Sequence, residues 1–247
     1  MAAIQDRIRL ARSGPGRRAG ATPAGGSAPD ERSLRQERLL DAAARLLARW
    51  GYRKTTIDDV AREAGVGKGT IYLHWKDKHD LFRAAIRREQ RRCSEDIQQR
   101  IAADPEGGLL HRVATHGMLA APAYPLLAAI IGGKSDIFNG FIEAYNPGFY
   151  YQLAGEADAY LVHMQQAGLG RADLPVASIT YLLTALKIGL INAPELIGPD
   201  KVPPMEELTE VLSDLLRRWL EPDPLPSSSE AGKHLYAAYL EKLQQPE

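Results

Sequence analysis

"GVGKGTIYLHWKDK", Gly65 to Lys78, admits two readings that lead to different folds and different chemistries. Gly-Lys-Gly-Thr looks like part of a phosphate-cradling loop. The same letters also suit the turn and second helix of a helix–turn–helix. A phosphate loop needs G-x-x-x-x-G-K-[ST], because backbone amides wrap the phosphates and a hydroxyl reaches the metal. Counting back from Gly67-Lys68, the required first glycine falls on Arg62, and Gly69 occupies the position that needs Ser or Thr. The segment also follows a helical pattern where a phosphate loop follows a strand. That reading fails on all three points.

The helix–turn–helix reading succeeds on sterics. Ala61 is small where two helices press together, and Gly65, four residues on, suits the positive φ of the turn. Val60, Val66 and Ile71 are apolar where such a motif buries side chains. The remaining face of the second helix holds Lys68, Gly69, Thr70, Tyr72 and His74. These are small or hydrogen-bonding groups with aromatic reach, suited to a major groove.

Outward from this stretch the pattern is helical. Ser33 and Gln36 have capping-box spacing. Leu39, Leu40, Ala43, Leu46, Leu47 and Trp50 then recur at three- and four-residue intervals, predicting a helix over 34–50 closed by Gly51. Thr56, with two acids after it, predicts the start of a short second helix ending at Gly65. A third is expected over 67–74. Asp77 caps a long fourth helix over 78–102, with Leu81, Phe82, Ala85, Ile86 and Ile97 facing inward.

After Asp104-Pro105-Glu106-Gly107-Gly108 the composition turns apolar and aromatic. Further helices are expected near 109–119, 122–131, 135–145, 148–167, 175–191, 204–220 and 230–243. The fold class is all-α: an N-terminal three-helix helix–turn–helix domain and a C-terminal helical domain. The expected organisation is a flexible basic arm (1–30), a DNA-binding domain (31–78), a ligand-binding and dimerisation domain (79–221), and a linker with a C-terminal tail (222–247).

The 247 residues have no formal net charge, but the sum conceals a polarity. Residues 1–105 hold 22 basic against 14 acidic side chains, and the remainder 9 against 17. A polyanion partner is thus expected for the first half alone. The arm arginines (Arg7, Arg9, Arg12, Arg17, Arg18) are read as solvated charge, with entry into a minor groove as the alternative. A single cysteine, Cys93, excludes an internal disulfide. The apolar stretches 119–131 and 174–193 are interrupted by prolines or by Lys187 and do not read as membrane spans. A cytoplasmic protein is expected.

"TTIDDVAREAGVGKGTIYLHWKDKHDLF", Thr55 to Phe82, resembles the DNA-binding segment of the TetR family of one-component transcriptional regulators, over about 50 residues from the first helix into the fourth. The resemblance implies an all-helical homodimer with an N-terminal DNA-binding domain and a larger domain that binds a small-molecule effector and dimerises. It implies that Thr56 contacts phosphate, that Lys68, Gly69 and Thr70 approach bases or backbone, that Tyr72 and His74 hydrogen-bond phosphates, and that Lys78 anchors the fourth helix. Gly67 stands where many relatives have Ser or Thr. Trp75 replaces a usual Phe or Tyr, and His79 a usual Glu.

The second half carries no HExxH, no Cys/His cluster and no nucleophile elbow, so neither catalysis nor a cofactor is expected. His111, His116 and His163 read as structural. Met118, Tyr124, Phe138, Asn139, Phe141, Tyr145, Phe149 and Met164 are candidate lining residues of an effector cavity, with core packing as the competing account. Between residues 109 and 155 the charged side chains are Arg112, Lys134, Asp136 and Glu143, which favours a neutral or lipophilic effector. Ile179, Leu182, Leu183 and Leu186 form one apolar stripe and Leu212, Leu215, Leu216 and Trp219 another, expected to pair about a two-fold axis, with a monomer core as the competing account and both open to different faces. The expected function is an effector-released repressor on a palindromic operator. An activator with the same DNA contacts, or an enzyme or carrier with a relic DNA-binding domain, are the alternatives.

Overall fold

The computed structural model describes residues 31–120, 123–132 and 149–244. All regular structure among them is helical. The elements are α1 (Glu31–Lys54), α2 (Ile57–Ala64), α3 (Lys68–Tyr72), α4 (Lys78–Ala103), α5 (Leu110–Ala120), α6 (Pro125–Ile131), α7 (Phe149–Gln166), α8 (Val176–Ile197), a 3-10 turn (Pro199–Lys201), α9 (Met205–Leu220) and α10 (Glu230–Gln244). The arm over 1–30 and the helix expected over 135–145 lie outside the described residues.

Ser33 does not cap α1. The helix already runs from Glu31, with Glu31 in its first turn and paired to Arg35 at 3.4 Å, one turn on. Gly51 breaks that helix as expected, though not as a left-handed cap: at φ 77, ψ 175 it occupies a region open essentially to glycine alone. Thr55, unremarked in the sequence, is fully buried and donates to the carbonyls of Leu46 at 3.3 Å and Gly51 at 2.8 Å. It closes the broken end.

Two hydrophobic clusters hold the chain together. The first joins Leu39, Leu47, Val60, Ile71, Trp75, Leu81 and Phe82, and draws in Leu126 and Ile130 from α6. The second joins Ile97 and Ile101 of α4 with Met164, Leu212, Leu216 and Leu220. α10 adds Tyr236 and Leu240 to it, so the segment expected as a tail supplies core. Each fully buried aliphatic side chain contributes roughly 1.5–3 kcal/mol. α4 serves both clusters, and Cys93 packs against each.

α4 is also tied to α1 by charge. The Arg88 side chain is almost wholly buried and donates to the Glu37 carbonyl at 3.0 Å, and it pairs with Asp41 at 2.8 Å. Arg92 pairs with Glu37 at 2.7 Å and Asp41 at 3.1 Å. α8 runs past its expected end at 191 and through Pro194. The Asn192 amide donates to Ile188 and to Gly132 of the α6 end, each at 3.0 Å, and so supports the backbone just before the proline.

Candidate nucleic-acid interface

The turn between α2 and α3 is set by Gly65, at φ 68, ψ 35. Its amide donates to Arg62 at 3.2 Å, and the Val66 amide to Ala61 at 3.0 Å. This is the paired closure that a left-handed glycine makes possible. Ala61, Val60 and Ile71 are buried beneath it, as the steric reading required. At the other end of α2, Thr56 accepts from the Asp59 amide at 3.2 Å while the Asp59 carboxylate accepts from the Thr56 amide at 3.0 Å and hydroxyl at 2.6 Å. Thr56 is therefore first a helix cap. Its hydroxyl proton is held by Asp59, and a phosphate would compete for it.

α3 is shorter than the span expected over 67–74. Gly67 caps it without a side-chain hydrogen bond, and Leu73 ends it, with the His74 and Trp75 amides turning back onto Ile71. Its outer face presents Lys68, Gly69, Tyr72 (51% exposed) and Leu73 (76% exposed), with Thr70 half-buried. A side chain at Gly69 would meet no protein atom within 4 Å, so the surface there is open for a close neighbour. His74 lies beyond the helix, half-buried with its ring 5.4 Å from that of Trp75. Trp75 itself is core, as the larger wedge expected of it.

Three cations at this surface are paired with acids. Lys68 donates to Asp58 at 3.0 Å, Arg45 to Glu63 at 3.2 Å, and Arg62 to Asp59. The hydrogen bond to Asp58, reinforced by its charge, holds Lys68 above the ordinary lysine value. Exposed pairs of this kind contribute about 0–1 kcal/mol, so a phosphate can displace the acid at little cost. Lys78 is engaged differently: its ammonium lies 4.3 Å from the centre of the Tyr52 ring and 5.7 Å from that of Phe82. Desolvation there lowers its pKa from the usual value. Tyr52 and Asp58 were not singled out by the sequence reading. The only signal for Asp58 was its place beside the helix-capping Thr56.

The candidate effector residues are not gathered in one place among the described residues. Met118 and Met164 fill the second cluster and are buried. Tyr124 packs at the first cluster and donates to the Arg92 carbonyl at 3.1 Å. Phe149 lies in α7, and Phe138, Asn139, Phe141 and Tyr145 lie outside the described residues. An open polar groove bordered by Arg112, Glu106, Ser213, Asp214 and Arg217 holds none of them. His111 and His116 are structural: His111 lies 3.1 Å from Glu221, and His116 lies 3.0 Å from Asp104. Burial opposes ionisation of Asp104, yet hydrogen bonds from His116 and Arg112 pull it below the carboxylate range.

The two apolar stripes divide by face. Ile179, Leu212 and Leu216 are buried in the chain's own second cluster, as the monomer-core account of the stripes has it. Leu183, Leu186 and Trp219 are half-buried against the same cluster. Leu182 and Leu215 do point outward, together with Tyr181, Ile188 and Val211. α8 is long and apolar enough to cross a membrane by length and composition. In this fold it packs against α5, α6 and α7, with Thr180 bonded to Asp158 of α7.

A helix–turn–helix whose second helix stands exposed, carried on a larger helical body, defines a DNA-reading regulator by its form. The model of the bacterial regulatory proteins of the tetR family matches residues 39–85. The HTH-type transcriptional repressor Rv1474c of Mycobacterium tuberculosis is 33% identical over 169 residues, 66% of this chain and 83% of that protein. The chain belongs to the TetR family. Its fold is shared with a solved putative TetR-family regulator from Rhodococcus sp. (TM-score 0.57, 21% identity, 75% of this chain and 98% of that one). It is shared also with FadR from Bacillus subtilis, solved in complex with stearoyl-CoA (TM-score 0.51, 19% identity, 73% and 96%). The chain spans 44% and 25% of the length of two other curated relatives from Bacillus subtilis.

Proposed function

We propose that this protein is a cytoplasmic, dimeric transcriptional repressor that binds a palindromic operator and is released by a lipophilic small molecule. The observation that carries the reading is the outer face of α3. Lys68, Gly69, Tyr72 and Leu73 stand clear of the protein on a helix whose inner side, Ile71, is fully buried. Such a helix is held rigidly enough to read base edges in a major groove. Two copies would place their recognition helices about 34–36 Å apart, or a multiple of that, to meet successive grooves. The exposed apolar side chains of α8 and α9 are the surface on which the copies would pair.

Release follows if the effector prefers a dimer whose recognition helices no longer match that spacing, since a ligand with equal affinity for both forms shifts nothing. α4 is the element suited to carry the difference. One end supports the helix–turn–helix cluster and the other enters the second cluster. The relation to FadR, solved with stearoyl-CoA, supports an effector with an extensive apolar body.

The test is fluorescence anisotropy on a genomic fragment library at two salt concentrations. Lys68→Ala is expected to lower the slope of log affinity against log salt by about one, as loss of one phosphate contact does. Asp58→Ala, which frees Lys68, is expected to tighten binding. Tyr72→Phe is expected to weaken it without changing the slope. DNA binding that is absent, or indifferent to all three changes, rejects the reading.

A further inference from the structure

Leu73 is the most exposed large apolar side chain described in the helix–turn–helix part, at 76% against 51% for Leu34 and Tyr72. It follows α3 as its C-cap, still helical at φ −71, ψ −19, and its amide donates to the Gly69 carbonyl at 3.3 Å. Leu73 and Gly69 are therefore one turn apart on one face, with Lys68 and Tyr72 beside them. Ile71 on the opposite side is fully buried and fixes which way that face turns. A helical side chain leans toward the N-terminus, over the residue four positions before it. Leu73 thus leans over a residue without a side chain, where an added Cβ would meet nothing within 4 Å. The two residues form a shallow notch with peptide backbone as its floor and leucine as its wall.

A single exposed leucine is ordinary on a surface that stays in water. On a face laid into a major groove it is not neutral. Base edges there present hydrogen-bond donors and acceptors, and covering one with leucine strips its water and returns no partner. Lys68 and Tyr72 can bond to phosphates or to base edges, whereas Leu73 can do neither. Thymine is the exception among the bases. Its C5 methyl is the apolar group that the major groove displays, and an aliphatic side chain is the kind of partner it takes.

We infer that Leu73 is a specificity-determining residue that selects thymine, the C5 methyl of one thymine in each operator half-site entering the notch between Leu73 and Gly69. The inference rests on the DNA-reading function above and sharpens it by naming a base that this face selects. Gly69 is the other half of the device, since a side chain there would fill the space that the methyl takes. The sequence reading placed Lys68, Gly69, Thr70, Tyr72 and His74 at the DNA and passed over Leu73, because an apolar residue beside a buried isoleucine reads as core until its exposure is seen.

The test uses the full chain and duplexes of a fragment recovered from the genomic library. In each duplex one symmetric pair of thymines is replaced by uracil, which removes the methyl and leaves the pairing edge intact. At one such pair wild type should lose about fourfold in affinity per methyl, or about fifteenfold for both half-sites, the scale of a buried methyl group. L73A should bind the thymine and uracil duplexes of that pair equally. Its salt slope should match wild type, because no phosphate contact is lost, and so should its melting temperature, because the side chain is exposed. The inference is overturned if no thymine-to-uracil pair weakens wild type, or if L73A keeps the full loss at every sensitive pair. Wild type that binds no fragment at all rejects the DNA-reading function itself and this inference with it.

Discussion

Thr56 and Asp59 show how a single reciprocal pair fixes the start of a helix. Each accepts a hydrogen bond from the other's backbone amide, and the Thr56 hydroxyl holds the Asp59 carboxyl below the ordinary aspartate range, with its amide adding to the effect. A carboxyl with a depressed folded pKa stabilises the fold above its unfolded value, and that contribution fades as pH falls through the folded one. Thr56→Ala removes the cap at a cost of about 1 kcal/mol. It should also shift the onset of acid unfolding to higher pH, as circular dichroism between about pH 5 and pH 2 will show. Thr56→Ser should restore both. If Thr56→Ala leaves the acid transition in place, the pair does not hold the carboxyl. At the same scale, Lys68 shows what residue identity alone conceals: a lysine on the exposed helix α3 is bonded to Asp58 of α2.

At the scale of the element, two glycines with positive φ have different demands. Gly65, at φ 68, ψ 35, sits in the left-handed region that Asn also visits. Gly51, at φ 77, ψ 175, sits where non-glycine residues essentially do not go, and it is buried. Gly65→Asn should therefore retain the fold and most of its stability. Gly51→Asn should lose about 1–3 kcal/mol, read as the denaturant midpoint at unchanged slope. Equal losses at both sites would show that the break after Trp50 is not conformationally strict. The helix pattern was legible from apolar spacing almost throughout. It missed at the ends: α3 stops at Tyr72, and the His74 and Trp75 amides close one more turn on Ile71. α8 continues through Pro194, with Asn192 bonded to Gly132 beside it.

At the scale of the molecule, adjacent leucines on α9 have opposite roles. Leu215 is 54% exposed and Leu216 is fully buried. Leu215→Glu is expected to leave the helical spectrum intact while shifting sedimentation from dimer to monomer. Leu216→Glu places an unpaired charge in the second cluster and should unfold that part outright. A dimer that tolerates Leu215→Glu would place the interface elsewhere. The same contrast applies to α8, where Leu182 faces outward and Ile179 inward.

By itself the sequence determined the helix–turn–helix. Its signals are local: a small residue, a glycine four positions on, capping groups and apolar spacing, all within 28 residues from Thr55 to Phe82. Local backbone sterics and capping act over one or two turns, so neighbours in the chain suffice to specify them. Only the tertiary structure decided which leucines of α8 and α9 are core and that α6 packs beneath the DNA-binding part. An apolar stripe on a helix records that a face is buried but not which element buries it, because the partner is fixed by contacts between residues far apart in the chain.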